Sequence, residues 1–421
     1  MCLRMLEVVL LNPQNRPNHW IVPTIGSSIF GMGMTLVFSG VFAFLVDAYP
    51  LYAASALAAN SFARSSFAAA FPLFGIQMFN KLGYQWATTL FALLSLAIAP
   101  SPIVFTVFKG SKAGDIIESD SKRPALSGDQ VLISVSASGL CGGDLLFKHN
   151  DMTLGHEGVG VVVATGPEVQ SLTKGVRCGT DVFCPERKMY GRSDLDQGSL
   201  AYGIVKKESR LFPIPKELYD EEAAPLMCAG ATVFNVLDTY DVKPTDRIGV
   251  IGVGGLGHLA IQFESKMGNE VIAFSSTQSK ESDALAFGAS AYYNDSNIKE
   301  AGLGGALDLL IVTAPALPNW GVYLPFLAPK AKIFALTIGP GNLALPNMPL
   351  LLNGITIQGS VLAPTNVHKR MLNFAAAKGV KPKVHKFVMD RDDIVEAFGV
   401  LKEGKMRYRG VLVVPEENRL K

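Results

Sequence analysis

The chain has 421 residues and a formal net charge of +2, which leaves room for two to three domains and no basic surface of the kind nucleic acid requires. Its five cysteines are too few and too scattered for a disulfide framework, a pattern that suits a reducing compartment. Hydrophobic residues make up 49% of the chain, and the excess is local. Residues 20–46 and 82–108 carry no charged side chain, and residues 48–80 carry only Arg64.

About 20 apolar residues cross a bilayer as a helix. The uncharged runs therefore predict three transmembrane helices, 21–46, 52–78 and 84–106, belonging to a first segment 1–101. The first run starts too late and is too long for a cleavable signal peptide. Small residues recur between Tyr49 and Phe67, which lets such helices approach closely. Arg64 shares a helix face with Asn60 and is expected to face protein rather than lipid. Lys109, Lys112, Lys122 and Arg123 follow the third run. By the positive-inside rule they place the rest of an integral membrane protein in the cytosol.

From about Phe105 the character changes. Asp129–Ser136 alternates as a half-buried strand, and Val159–Thr165 is a valine-rich run suited to a β-barrel. Between and beyond these runs lie three candidate metal ligands: Cys141, His156 in Gly155-His156-Glu157-Gly158-Val159-Gly160, and Cys228 in Pro225-Leu226-Met227-Cys228-Ala229-Gly230. Two thiolates and an imidazole on separate loops form a ligand set for a catalytic zinc, with the fourth position open to water or a substrate oxygen.

Further on, Ile248–Ile251 reads as a buried parallel strand, Gly257–Met267 as a helix and Val271–Ser275 as the next strand. Between the first strand and the helix stands Gly252-Val253-Gly254-Gly255-Leu256-Gly257. Strand, glycine-rich turn, helix and strand in that order form a dinucleotide fingerprint. The pyrophosphate would sit at the helix N-terminus. An acidic residue usually closes the second strand when the ribose 2′-hydroxyl is bound. This chain instead has Ser275, Ser276, Thr277 and then Lys280. Hydroxyls and an ammonium suit a 2′-phosphate, so the expected cofactor is NADP(H). Zinc and a nicotinamide cofactor together mean hydride transfer at an alcohol or aldehyde. Later strands are expected at 307–312, 332–336 and 355–359.

Residues 16–100, through Leu45-Val46-Asp47-Ala48-Tyr49 and Phe71-Pro72-Leu73-Phe74, resemble the last three helices of a fungal major facilitator transporter of the drug:proton antiporter type. Such transporters place their substrate site between two six-helix halves, so transport by this chain alone is not expected. Residues 103–415 resemble the zinc-dependent medium-chain alcohol dehydrogenases in their cinnamyl-alcohol-dehydrogenase-like branch. The likeness runs through Gly155–Gly160, Glu186–Gly191, Ala223–Val233, Met348–Gly354 and Gly404–Arg409.

That resemblance implies an α/β chain: a GroES-like β-barrel catalytic domain over 102–228, a Rossmann domain over 229–360 and a return to the catalytic domain over 361–421. It implies that Cys141, His156 and Cys228 hold zinc, with Glu157 as an alternating fourth ligand. Asp144 would take the other ring N–H of His156, Thr232 would lie near the nicotinamide, and Arg409 would reach the cofactor phosphates. The substrate would be a small aldehyde or alcohol, and the protein a possible homodimer.

Two departures from the family pattern bear on rate and folding. Family members carry a threonine and a histidine as a proton relay where this chain has Gly143 and Leu146. Their four-cysteine structural-zinc lobe is cut down near 178–184 to Cys178 and Cys184. One zinc and reduced activity are therefore expected. A catalytically impaired homologue, or a transporter fragment joined to a dehydrogenase by a gene-model error, are the alternative readings.

Overall fold

The computed structural model describes residues 103–420 except 174–176, 181–189, 192–194, 295–297, 299–301 and 339–341, and, of residues 1–102, only 61, 80, 81 and 83. The boundary between the two units of the chain falls between Ser101 and Pro102. The first predicted span, all of the second except residue 61, and nearly all of the third lie outside the described residues, as do Cys184 and most of the shortened lobe. Among the described residues no helix is long and apolar enough to cross a membrane.

The last residues of the third predicted span are a correction. Residues 103–106 open β1 (Ile103–Lys109), which pairs antiparallel with β2 (Ile117–Arg123). Ile103-Val104-Phe105-Thr106-Val107 is rich in β-branched and aromatic residues, which favour a pleated, half-buried strand over a helix. Phe105 and Val107 point into the core while Val104 faces out, the period of two that a strand imposes.

The rest of the unit is built on two sheets. The first contains β3 (Gln130–Leu140), β4 (Glu157–Thr165), β5 (Arg177–Thr180), β6 (Gly203–Lys207), β7 (Leu211–Pro213), β14 (Val384–Val388) and β15 (Arg409–Val413). Its order is β14-β15-β3-β4-β5-β7, with β6 also on β3. The long strand β3 has two partners on one side: β6 along Gln130–Ser134 and β15 along Ala137–Leu140. Two partners on successive halves of one strand bend the sheet toward the expected barrel. Register shifts in the β3–β4 pairing at Leu132/Ile133 and Val135/Ala137 add the local twist that bulges bring.

The second sheet is parallel throughout: β8 (Arg247–Ile251), β9 (Glu270–Ser275), β10 (Ala291–Asn294), β11 (Leu307–Val312), β12 (Leu327–Ala335) and β13 (Thr356–Gln358). Its order, β10-β9-β8-β11-β12-β13, is the 3-2-1-4-5-6 winding of a dinucleotide-binding domain. The direction of winding reverses between β8 and β11, and the crevice beyond their carboxyl ends is where such sheets bind ligands. The helix Gly257–Met267 buries Leu259, Ala260, Ile261 and Phe263, the leucine, isoleucine and phenylalanine side chains each contributing about 1.5–3 kcal/mol. Gly268, in the left-handed conformation (φ 104°), ends that helix.

Candidate active site

Strand pairing brings the first ligands together. Gly139 of β3 stands opposite Glu157 of β4, so Cys141, just past β3, meets His156 and Glu157 at the mouth of β4. The helix Asp220–Pro225 packs on both strands and runs into a π-helical turn, Leu226–Gly230, that carries Cys228. One ligand atom each from Cys141, His156, Glu157 and Cys228 lies within 4.8 Å of the others. That span suits ligands around one ion at zinc–sulfur distances of about 2.3 Å.

Asp144 orients the set. Its carboxylate accepts from the Cys141 backbone N–H at 2.9 Å, from His156 Nδ1 at 2.9 Å and from the Tyr190 hydroxyl at 2.7 Å. The bond at Nδ1 turns Nε2 toward the thiols, the outer-sphere device that fixes a ligand histidine's tautomer. Tyr190 also accepts the Gly155 N–H at 2.7 Å. Burial and then the Asp144 charge push its hydroxyl well above the usual tyrosine range, so it remains a donor. In the sequence Tyr190 stands inside a family motif with nothing to assign it this role.

The site is rich in negative charge. The hydrogen bond from Cys228 holds the Cys141 thiol well below its ordinary range, against burial, and the charges of His156 and Arg409 act the same way. That same bond, followed by burial, pushes Cys228 up. The two thiols thus share one proton that a divalent cation would displace. Burial raises the Glu157 carboxyl to about 7, against the pull of Arg409. Burial also opposes the charged form of His156, yet Asp144 and then Cys141 hold its pKa well above the ordinary value. The donor chemistry of the four residues fits zinc.

Arg409 is the first residue of β15, and its neighbour Gly410 pairs with Leu140. The register therefore sets the guanidinium beside the ligands, where it is buried and bonded to both Glu157 carboxylate oxygens. It also borders the glycine turn: a Cβ on Gly255 would lie 3.1 Å from Arg409 Nη1. Nothing in the sequence marks Gly139 for a role, yet a side chain there would overlap the Glu157 carboxylate.

The glycine turn meets the three demands of a dinucleotide fingerprint. Gly252 has φ +94°, and a Cβ would lie 2.7 Å from the Ala314 backbone nitrogen. A Cβ on Gly257 would overlap the Gly252 carbonyl oxygen, so helix and strand close tightly there. A Cβ on Gly254 would meet nothing within 4 Å, leaving an open side for a pyrophosphate. Leu256 stands at the N-cap position of that helix and leaves its first N–H groups without a side-chain cap. His258, buried and with its pKa lowered to about 3 by burial, is neutral. Its Nδ1–H donates to the Gly254 carbonyl at 2.9 Å and its Nε2 accepts the Lys383 N–H at 3.2 Å.

Ser275 is buried at the end of β9, while Ser276 and Thr277 are exposed and Lys280 is half-buried. Thr232 is buried in the first turn of the helix Ala231–Thr239. Gly143 offers no side chain, and Leu146 is 55% exposed, so neither expected relay position supplies a polar group.

The chain matches the families described as alcohol dehydrogenase GroES-like domain over residues 127–216 and zinc-binding dehydrogenase over residues 255–377. It is 32% identical over 327 residues to a probable formaldehyde dehydrogenase AdhA of Bacillus subtilis, covering 69% of this chain and 92% of that one. It is 31% identical over 311 residues to an aldehyde reductase AdhA of Synechocystis, covering 68% and 92%. A likeness of 71% over 87 residues links it to the efflux pump atB of Aspergillus terreus, covering 21% of this chain and 18% of the pump.

Among solved structures, a cinnamyl alcohol dehydrogenase of Sorghum bicolor superposes with a TM-score of 0.68 at 25% identity, covering 74% of this chain and 98% of that one. A Helicobacter pylori structure titled as CAD, complexed with NADP(H), gives 0.68 at 24%, covering 76% and 100%. The zinc-binding dehydrogenase match and the four-residue ligand cluster point to zinc as a cofactor of this chain; NADP(H) is the cofactor complexed with the Helicobacter pylori protein. By its two sheets, its ligand cluster and these relatives, the chain belongs to the zinc-binding medium-chain alcohol dehydrogenase family and is an oxidoreductase of that type.

Proposed function

We propose that the protein is a membrane-tethered, NADP(H)-preferring zinc alcohol dehydrogenase that interconverts a small aldehyde and its primary alcohol at a reduced rate. The observation that carries this reading is the convergence of Cys141, His156, Glu157 and Cys228 in the same unit as a glycine turn left open at Gly254. When bound, zinc supplies Lewis acidity toward a carbonyl or alcohol oxygen and the nicotinamide supplies or takes the hydride. The chain's own residues prepare the site. Asp144 and Tyr190 hold His156 in place, Arg409 balances the buried Glu157 carboxylate, and neutral His258 fixes the glycine turn. The absence of acidic side chains from Ser275 to Lys280 supports the preference for a 2′-phosphate.

Rate is where this chain departs from its relatives. Proton transfer by a positioned group contributes about 10²–10⁴-fold, and Gly143 and Leu146 supply none. The purified protein should carry one zinc per chain and reduce aldehydes slowly with NADPH. Gly143→Thr together with Leu146→His should raise turnover by at least about 10-fold. A zinc-loaded protein that binds NADPH and is indifferent to the double change would sink the relay explanation. Zinc-free protein with the ligand set intact would sink the assignment itself.

The likeness to an efflux pump and the uncharged runs before Pro100 support the tether. Alkaline carbonate extraction should leave the full-length protein with the membranes; its release into the supernatant would end that part of the reading. Met348, Leu351, Leu352 and Ile357 are exposed at the β13 edge of the parallel sheet, an apolar margin suited to a second copy of the chain. A single-subunit mass by light scattering of the purified protein would remove the dimer.

A further inference from the structure

The cofactor reading leaves one cation without a task. Arg407 comes from the segment that leads into β15, in the barrel-like sheet, yet it reaches the end of β9 in the parallel sheet. Its Nη2 donates to Ser279 Oγ at 3.0 Å, across 128 residues of sequence. Lys280, half-buried beside it, belongs to the same short turn, Gln278–Lys280. Two like charges are thus set side by side where a Rossmann sheet receives the ribose of the adenosine.

The neighbouring carboxylates hydrogen-bond to other groups, although the charge of Arg407 also reaches Asp283. Asp283 accepts from Lys383 Nζ at 2.8 Å and from the Tyr408 hydroxyl at 2.7 Å. Glu281 accepts from Gln278 Nε2 at 2.6 Å. Among the described residues, neither Lys280 nor Arg407 forms an ion pair. Burial, then the charge of Arg407, lowers the proton affinity of Lys280, the sign of mutual repulsion. Two cations brought together, with the nearby Asp283 carboxylate hydrogen-bonded to Lys383 and Tyr408 rather than to either of them, form a geometry that a dianion relieves.

We propose that Arg407 is the second cationic arm of the 2′-phosphate site, so that the preference for NADP(H) over NAD(H) is set by two segments, Ser275–Lys280 and Arg407. The proposal rests on the NADP(H) reading above and goes further by naming the residue that closes the site from the other sheet. A guanidinium binds phosphate with paired N–H donors, while an ammonium acts as a point charge. Arg407 is the directional partner and Lys280 supplies charge.

The test uses the full-length protein and two probes that lack nicotinamide: adenosine 2′,5′-bisphosphate and adenosine 5′-monophosphate. Unaltered protein should bind the bisphosphate more tightly. Arg407→Gln should weaken the bisphosphate by roughly 10- to 100-fold, the size of a lost charge-assisted contact, and leave the monophosphate within about 2-fold. Arg407→Lys should recover part of the loss. Equal weakening of both probes would make Arg407 a structural support and overturn the proposal while the NADP(H) reading stands. So would a loss confined to Lys280→Gln. Equal binding of both probes by unaltered protein would remove both readings. A measurement on unaltered protein guards against misfolded variants. Phenylglyoxal labelling of the exposed Arg407, read by mass spectrometry, should be blocked by the bisphosphate and not by the monophosphate; labelling unaffected by either probe would overturn the proposal.

Discussion

Arg409→Met should cost the metal-free protein about 3–5 kcal/mol of stability near pH 8, because it strands the Glu157 carboxylate in the interior. Glu157 and Arg409 are both almost fully buried and bonded to each other through both carboxylate oxygens. The deficit should depend on pH in a set direction. Even beside the guanidinium, burial holds the Glu157 carboxyl at about 7, above the ordinary glutamate value near 4.3. Without Arg409 that pKa rises further. A carboxyl whose folded pKa lies above its unfolded one loses stability as pH climbs from the unfolded value through the folded one. The variant should therefore be closer to the unaltered protein at pH 5 than at pH 8, by thermal or denaturant unfolding. Adding Glu157→Gln should recover most of the loss at pH 8, since the buried charge is then gone. An equal deficit at both pH values would show that Arg409 acts by packing.

Gly257→Ala should abolish dinucleotide binding and destabilise the fold together. The added methyl overlaps the Gly252 carbonyl oxygen and lies 2.8 Å from Thr313 Oγ1, and a backbone carbonyl has no rotamer with which to retreat. Thr313 in turn donates to that same carbonyl at 2.7 Å, which ties the turn to the end of β11. The expected loss is at least 100-fold in NADPH affinity, with a stability cost of about 1–3 kcal/mol, the range for overpacking. Gly254→Ala is the informative contrast. Its methyl meets no protein atom within 4 Å, so the fold should keep its melting temperature while the cofactor loses its approach. Unchanged NADPH affinity in Gly254→Ala would place the pyrophosphate elsewhere.

Much of this site was legible because its chemistry is carried by rare residues in short motifs. Cys141 and His156 are scarce side chains at strand ends and Cys228 is one on a helical turn, and the turn Gly252–Gly257 is bracketed by a strand and a helix whose observed bounds, Arg247–Ile251 and Gly257–Met267, nearly match those expected. The illegible part depends on register between distant segments. Arg409 was expected at the cofactor phosphates, but its guanidinium is held by Glu157, 252 residues away in sequence, and borders the glycine turn from there. Tyr190 and Arg407 act through contacts that no local period announces. The strand β2 was illegible for another reason: Ile117-Glu118-Ser119-Asp120-Ser121-Lys122-Arg123 has no apolar alternation and is a strand through its pairing with β1.

The π-helical turn that carries Cys228 has a consequence for the history of such chains. In it the Ala231 N–H reaches back to the Leu226 carbonyl, so the turn holds one residue more than an α-helix would. A single-codon deletion there, for example of Ala229, would let the helix close as ordinary α and rotate Cys228 by about 100° relative to the helix Ala231–Thr239. Every ligand would remain in the sequence, in order and in motif, yet one would no longer face the others. Descent of this kind can silence a metal centre while leaving every one of its residues to be read.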